Sequence, residues 1–312
     1  MARANRRWRG AALVALAPWT WFVLRDLGFL FDLAATGLPV LLAGVAIGFG
    51  ALAVLRKRRE LALGAVSCLV VGAVAVVGPW RPQSVPPPRG PLRIVAANLR
   101  AGNPEVDRGV ADVLAQRGDL LLLIEASRGQ WKAPPEYASV IRPEESNQVV
   151  LSRYPARLMA RPAGWPPRLR AHRLEVDTPN GRMVVYLVHL VRPHLGPRRI
   201  VRIRAQLTAQ RREREAILAS ARTETAPVVL AGDFNTSDRS RGYRRITDRF
   251  RDAMRSRRAG PTYVAALWRP LLLRIDHIFV PRGWCSADPE RFHIHGSDHR
   301  GVAVDVGPCP VL

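Results

Sequence analysis

The chain has 312 residues, three cysteines and a formal net charge of +23, from 48 Lys and Arg against 25 Asp and Glu. That length holds one sizeable domain and something smaller, and three scattered cysteines exclude a Cys-cluster zinc site. The charge favours anionic partners, whether nucleic acid, phospholipid head groups or phosphorylated sugars, although an evenly basic solvated surface explains it equally well.

Before residue 81 the sequence is almost all Ala, Leu, Val, Gly and Phe. Leu38 to Leu55 and Leu61 to Trp80 carry no charge and approach the roughly 20 residues a helix needs to cross a bilayer. An earlier apolar segment, Ala11 to Phe31, is interrupted by Arg25 and Asp26, where an arginine can snorkel to the interface beside Trp19 and Trp21. The expectation is a membrane region over 1–80 with three transmembrane helices, at 11–31, 38–55 and 61–80. A cleaved signal peptide would account for the first segment alone. Arginine-rich stretches at "MARANRRWRG" and "RKRRE" belong on the cytoplasmic side. Three spans satisfy both and leave the rest of the chain outside the cytoplasm; two spans would set the basic ends in conflict. Nine basic and three acidic residues precede position 81, so the remainder keeps a net +17.

"RPQSVPPPRG" (81–90) reads as a semi-rigid Pro-rich linker, because its prolines fix the backbone and remove donors. A domain over 91–312 follows. "LRIVAAN", "DLLLLIE", "QVVLSRYP", "HRLEVDT", "RMVVYLVHL", "PVVLAGDFN", "RIDHIFVP" and "GVAVDVG" are short, Val/Ile/Leu-rich and bounded by turn formers, hence strands. "EVDRGVADVLAQRG" reads as a helix stopped by Gly118, and a second helix lies within 198–222, with Ile200, Ile203, Leu207, Ile217 and Leu218 at helical spacing. Many strands with few helices between them predict two packed sheets flanked by helices. Cys68 falls in a span; Cys285 and Cys309 can pair if the domain lies outside the cytoplasm.

Polar groups recur at the ends of these strands: Asn98, Glu125, His189, then Asp233 and Asn235, with Asp276 opening one late strand and Asp298 and His299 preceding the last. Singly, each has a plain explanation. Asn98 can be a turn residue, Glu125 or Asp276 the partner of an arginine such as Arg274, His189 a core histidine, Asp233 a helix cap, and Asp298–His299 a polar turn. Their repetition fits one shared edge. Hydrolysis of a phosphate ester needs an oxygen-liganded divalent cation, a base for water and positive charge over the phosphorus. Glu125 with Asp298 or Asn98 supplies hard ligands for Mg2+ or Mn2+, while HExxH and GxSxG are both missing from the sequence.

The ordered set "AAN…LIE…LSRYP…VHL…AGDFN…RIDHIFV…GSDHRGVAV" resembles the endonuclease/exonuclease/phosphatase superfamily of metal-dependent phosphoesterases, and in particular its bacterial membrane-anchored type. The resemblance implies a four-layer α/β sandwich of two packed mixed β-sheets flanked by helices, with the site at one edge. It assigns Glu125, with Asn98 beside it, to the metal, and Asp298 to the metal or a second one. Asp233 orients or deprotonates the attacking water, Asn235 contacts the phosphate, His299 stabilises the transition state, Asp276 orients and charges that histidine, and His189 stands against the scissile phosphate. In GDFN the glycine is expected to let the chain turn sharply. The family usually has Gln before the metal glutamate; Ile124 stands there instead, and a hydrogen bond behind the site is lost.

The function these features imply is a membrane-anchored, Mg2+-dependent phosphodiesterase, nuclease-like, attacking phosphorus with water. A phospholipid or sugar-phosphate phosphatase on the same scaffold, or a catalytically idle anion-binding membrane module, are the alternatives. The implied partners are a phosphate-ester substrate, nucleic acid or a phospholipid head group, and the bilayer; no protein partner is inferable.

Overall fold

The computed structural model describes residues 12–126, 131–144, 146–193, 202–264 and 272–310. At the N-terminus an apolar helical stretch, Ala12–Leu24, precedes a hairpin of two long helices, α1 (Phe29–Arg56) and α2 (Arg59–Val77). Residues Ala34–Arg56 and Arg59–Trp80 are long and apolar enough to cross a membrane. The described helical part of this first segment, Ala12–Leu24, covers about 20 Å at 1.5 Å per residue. The helix expected at 11–31 ends at Leu24: the chain breaks at Gly28, in a φ of +130°, and Phe29 to Leu38 join the next helix instead. Ala12–Leu24 lies alongside α2 and runs in its direction, with Trp19 Nε1 donating to Ser67 Oγ and Trp21 packed against Val71 and Ala75.

The remaining elements build two six-stranded sheets. In chain order they are β1 (Leu92–Asn98), α3 (Val106–Leu114), β2 (Leu120–Ile124), β3 (Ser139–Ile141), β4 (Val149–Ser152), β5 (Ala156–Leu158), β6 (Arg170–Thr178), β7 (Gly181–His189), α4 (Ile203–Ala221), β8 (Val228–Asp233), α5 (Arg241–Thr247), β9 (Phe250–Asp252), β10 (Asp276–Pro281), β11 (Trp284–Phe292) and β12 (Gly301–Pro308). One sheet runs β11-β12-β1-β2-β4-β3 and the other β5-β6-β7-β8-β10-β9. Pairs β1–β2 and β7–β8 are parallel and the other pairs antiparallel, so both sheets are mixed.

Period-two alternation sorts the side chains into layers. Ile94, Leu122, Val185, Val229, Ile278 and Val304 point between the sheets. Their neighbours Val95, Leu121 and Leu123 face outward onto Val110 and Val113 of α3, and Tyr186 and Leu230 face Ile217 and Leu218 of α4. The order helix, sheet, sheet, helix is the expected four-layer sandwich. Helix α3 ends at Leu114, short of Gly118; that glycine instead packs under Val95 and Leu121, where a Cβ would meet each at 2.6 Å. Of the arginine-rich segment 198–214, residues 198–201 fall outside the described residues. Cys285 and Cys309 form a disulfide, and Cys68 is buried in α2.

Candidate active site

Strand register gathers the polar residues at one edge. Parallel pairing of β7 with β8 sets His189 beside Asp233, and antiparallel pairing of β8 with β10 sets Asp233 opposite Asp276. In the other sheet Asn98 pairs with Ile124, the residue before Glu125. Asn98, Glu125, His189, Asp233, Asn235, Asp298 and His299 all line one cavity of about 820 Å³. Asp276 does not line it and acts on it through His299.

Asp233 is the hub. It is 1% exposed; Asn98 Nδ2 donates to its Oδ2 at 3.0 Å and the Asn235 backbone N–H to its Oδ1 at 2.8 Å. His299 Nδ1 donates to Asp276 Oδ2 at 2.9 Å, and its Nε2 lies 3.9 Å from Asp233 Oδ2. Asp276 is held in turn by its backbone, whose N–H donates to Thr262 Oγ1 at 3.1 Å. Arg274 pairs with Asp238 and Asp252, so the option of an Arg274–Asp276 pair is not taken up.

The two histidines carry opposite charge preferences. Burial pulls the His299 imidazolium down, but the carboxylate of Asp276, supported by Asp233 and Asp298, outweighs it and lifts His299 to about 9. His189 is pushed below the usual histidine range, by burial first and by Arg170 and His299 in addition, against the pull of Asp233. It is neutral at pH 7, with Nε2 3.8 Å from Glu125 Oε1 and 3.9 Å from Asp233 Oδ2. Burial and the neighbouring Asp276 raise Asp233 above the ordinary carboxylate range.

Three non-glycine residues of the site sit in left-handed backbone, Arg100 at φ +65°, Glu125 at φ +58° and Asn235 at φ +46°. Asparagine tolerates this region; glutamate seldom adopts it, and such strain persists only where the surroundings enforce it. The Glu125 side chain is anchored by the Ala101 N–H, which donates to Oε2 at 2.5 Å. The glycine of GDFN has a different role from the sharp turn expected of it. Gly232 lies inside β8 at φ +134°, and a Cβ there would stand 2.1 Å from the Val188 carbonyl of β7. It allows two parallel strands to approach beside Asp233.

Several residues at the site escape a sequence reading. Arg100, Arg168, Arg170, Arg192 and Arg202 line the cavity, drawn from separate segments of an arginine-rich chain in which none stands out. From α4, Gln210 Nε2 donates to the carbonyls of Val191 and Asn235 at 3.1 and 2.8 Å, and Glu213 accepts the Val191 N–H at 2.8 Å. Gln210 was discoverable: it occupies the apolar stripe defined by Ile203, Leu207 and Ile217, and a polar residue on a buried stripe needs partners. Ile124, in place of the family's glutamine, is fully buried in the core between the sheets.

The donor set suits a hard cation. Glu125 presents carboxylate oxygen to the cavity, with Asp298 on the same lining. Both polar atoms of Asn98 are already engaged, Oδ1 by the Arg100 N–H and Nδ2 by Asp233, although a carbonyl oxygen keeps a second lone pair. Ligating atoms of Asp233, Asp276 and His299 also lie within 4.8 Å of one another, a second grouping at which an ion would have to displace the His299 proton. Oxygen ligands without cysteine favour Mg2+ or Mn2+ over zinc.

The sequence pattern of the endonuclease/exonuclease/phosphatase family matches residues 86–299. The chain belongs to this family and is a hydrolase of phosphate esters. Its fold is similar to that of an endonuclease/exonuclease/phosphatase from Beutenbergia cavernae DSM 12333, 22% identical over 72% of this chain and 74% of that one, with a TM-score of 0.54. It is also similar to the 3'-5' exonuclease NExo from Neisseria meningitidis (17% identical, 69% and 100% covered, TM-score 0.50). The catalytic domain of human Nocturnin with a bound sulfate anion is a further neighbour (15% identical, 70% and 95% covered, TM-score 0.50). No curated protein matches the chain in sequence.

Proposed function

We propose that the chain is a membrane-anchored phosphoesterase that uses Mg2+ or Mn2+, with its catalytic domain (91–312) tethered through residues 81–90 outside the cytoplasm. The reading rests on one observation above all: an imidazolium fixed by Asp276 stands 3.9 Å from the buried carboxylate of Asp233, at the head of an arginine-lined cavity. Asp233, its proton affinity raised, takes a proton from water as the water oxygen bonds to phosphorus and the bond to the leaving oxygen breaks. His299 donates its Nε2 proton as a hydrogen bond to a phosphoryl oxygen, and Asp276 keeps it charged. Asn235 has one side-chain amide hydrogen on the Leu190 carbonyl at 2.9 Å; the other, without an acceptor among the described residues, serves phosphate. Neutral His189 stands against the scissile group. A divalent ion held by Glu125, Asp298 and Asn98 neutralises charge on the phosphate when bound.

Membrane anchoring is supported by the two helices of spanning length. The direction of Ala12–Leu24, which enters beside α2 from the end that carries Arg56 to Arg59, supports a cytoplasmic N-terminus and removes the conflict between basic ends. The Cys285–Cys309 disulfide supports an oxidising compartment for the domain.

The test is hydrolysis of bis(p-nitrophenyl) phosphate by the full chain in detergent. Activity should require Mg2+ or Mn2+, stop on chelation and fall by roughly 10²–10⁴-fold in His299→Ala. A variant as active as the native chain would overturn the reading, and a chain that binds phosphate without turnover would establish the idle anion-binding module.

A further inference from the structure

The segment that follows Asn235 is clamped to the membrane helices. Pro39 in α1 has no N–H for the Ala35 carbonyl, which a regular helix would use. The buried guanidinium of Arg239 fills the gap: Nε donates to Ala35 O at 3.0 Å and a terminal nitrogen to Thr36 O at 3.3 Å, while its other arm reaches Leu272 O at 3.0 Å. Further contacts hold the same segment. The Arg241 N–H donates to Asp32 at 3.2 Å, Arg244 donates to Asp26 at 2.6 Å, and Trp80 Nε1, at the end of the second apolar helix, donates to Asp238 at 2.8 Å.

These contacts fix where the site lies relative to the bilayer. Ala35 and Thr36 are at the first turn of the apolar span Ala34–Arg56, and Trp80 ends the other. Both contact points are therefore at the same hydrocarbon boundary. Asn235 precedes Arg239 by four residues, which even fully extended separate their Cα atoms by no more than about 14 Å. A second cavity of about 410 Å³ fills this junction; Asp32 and Thr36 of the membrane helix line it together with Asn235, Thr236 and Ser237, and Arg211, Arg214, Arg241 and Arg245 surround it. Asn235 lines both cavities. The wall of this second cavity is polar and net cationic, four arginines against Asp32 and Glu215, which suits a head group and not an acyl chain.

Resting on the reading of the chain as a membrane-anchored phosphoesterase, we infer that its substrate is the phosphate-ester head group of a lipid in its own bilayer, taken up from the head-group layer beside α1. The arginines at the junction draw the anionic head group toward Asn235, and the Arg239 clamp holds the catalytic segment at head-group height.

The experiment compares lipid in the enzyme's own vesicle with lipid in a separate one. The full chain is reconstituted into phosphatidylcholine vesicles containing phosphatidylglycerol, phosphatidylinositol and phosphatidic acid, with Mg2+, and release of soluble phosphate-bearing product is followed. Because confinement in one bilayer raises effective concentration, lipid in the same vesicle should turn over on the order of tenfold or more faster than lipid offered in enzyme-free vesicles. Arg239→Gln should lower same-vesicle turnover more than it lowers hydrolysis of soluble bis(p-nitrophenyl) phosphate; an equal loss in both would mean that the clamp only supports the fold and would remove it from the inference. If the soluble ester or a single-stranded DNA is cut while none of the lipids is, or if lipid in separate vesicles turns over equally fast, the lipid inference falls and the phosphoesterase reading stands. If the native chain cuts no ester at all, both fall.

Discussion

Two buried polar clusters lie within three residues of each other at the start of β10, and they differ in what faces them. Arg274, 1% exposed, is enclosed: its Nε donates to Asp238 at 3.0 Å, and its terminal nitrogen donates to Asp252 at 2.5 Å and to Tyr243 Oη at 3.1 Å. Among the described residues Asp276 has one ion-pair partner, His299, and His299 lines the cavity. Both clusters bury charge at a cost that only pairing offsets. The first holds Arg274 between two carboxylates and anchors Trp80 through Asp238, with Nη1 left without a partner among the described residues beside a small cavity of about 210 Å³; the second turns its imidazole to the larger cavity shared with Glu125 and Asp233. Neither buried charge nor an unspent donor beside a cavity therefore marks the candidate site by itself; the convergence of carboxylate, amide and imidazole groups on one cavity does.

The comparison can be broken from either side. The largest effect expected is on rate: Asp233→Asn should lower kcat on bis(p-nitrophenyl) phosphate by about 10²–10⁴-fold with little change in thermal unfolding, and a loss below tenfold would deny Asp233 the role of base. Arg274→Met should do the reverse. By stranding two buried carboxylates it should cost roughly 3–5 kcal/mol of stability, read as a lower denaturation midpoint, and destabilisation under 1 kcal/mol would show the enclosed cluster to be dispensable. Gly232→Ala should sit between them, lowering both stability and kcat, because a methyl group meets the Val188 carbonyl; a neutral effect would show that β7 and β8 can separate without harm. The smallest effect concerns His299 stability linkage. Its folded pKa is raised, so the ion pair with Asp276 contributes fully below the ordinary value of 6.5 and is lost as pH rises through about 9. Asp276→Asn should flatten the stability change across that window, and an unchanged pH profile would place the linkage elsewhere.

Much of this was legible in the sequence because strand periodicity and turn formers are local signals. All eight anticipated strands formed, and each polar residue marked at a strand end lies at the same edge, since register carries Asn98, His189, Asp233 and Asp276 there together. Strands β3, β5 and β9 were too short for a pattern. β11 was hidden by its polar residues and by an irregularity between Ala287 and Glu290, where Asp288 takes φ +45°. The Arg239 clamp was illegible for another reason: it joins residues more than 200 positions apart, and neither Pro39 nor Arg239 is unusual locally. The role of Gly232 required the neighbouring strand to be in place.

The account depends on His299 holding a proton beside Asp233 at working pH. Titration of the imidazole by NMR in the metal-free chain measures this directly. A transition near pH 9 that drops toward 6.5 in Asp276→Asn is the result expected, and a native transition at or below 6.5 would contradict the account.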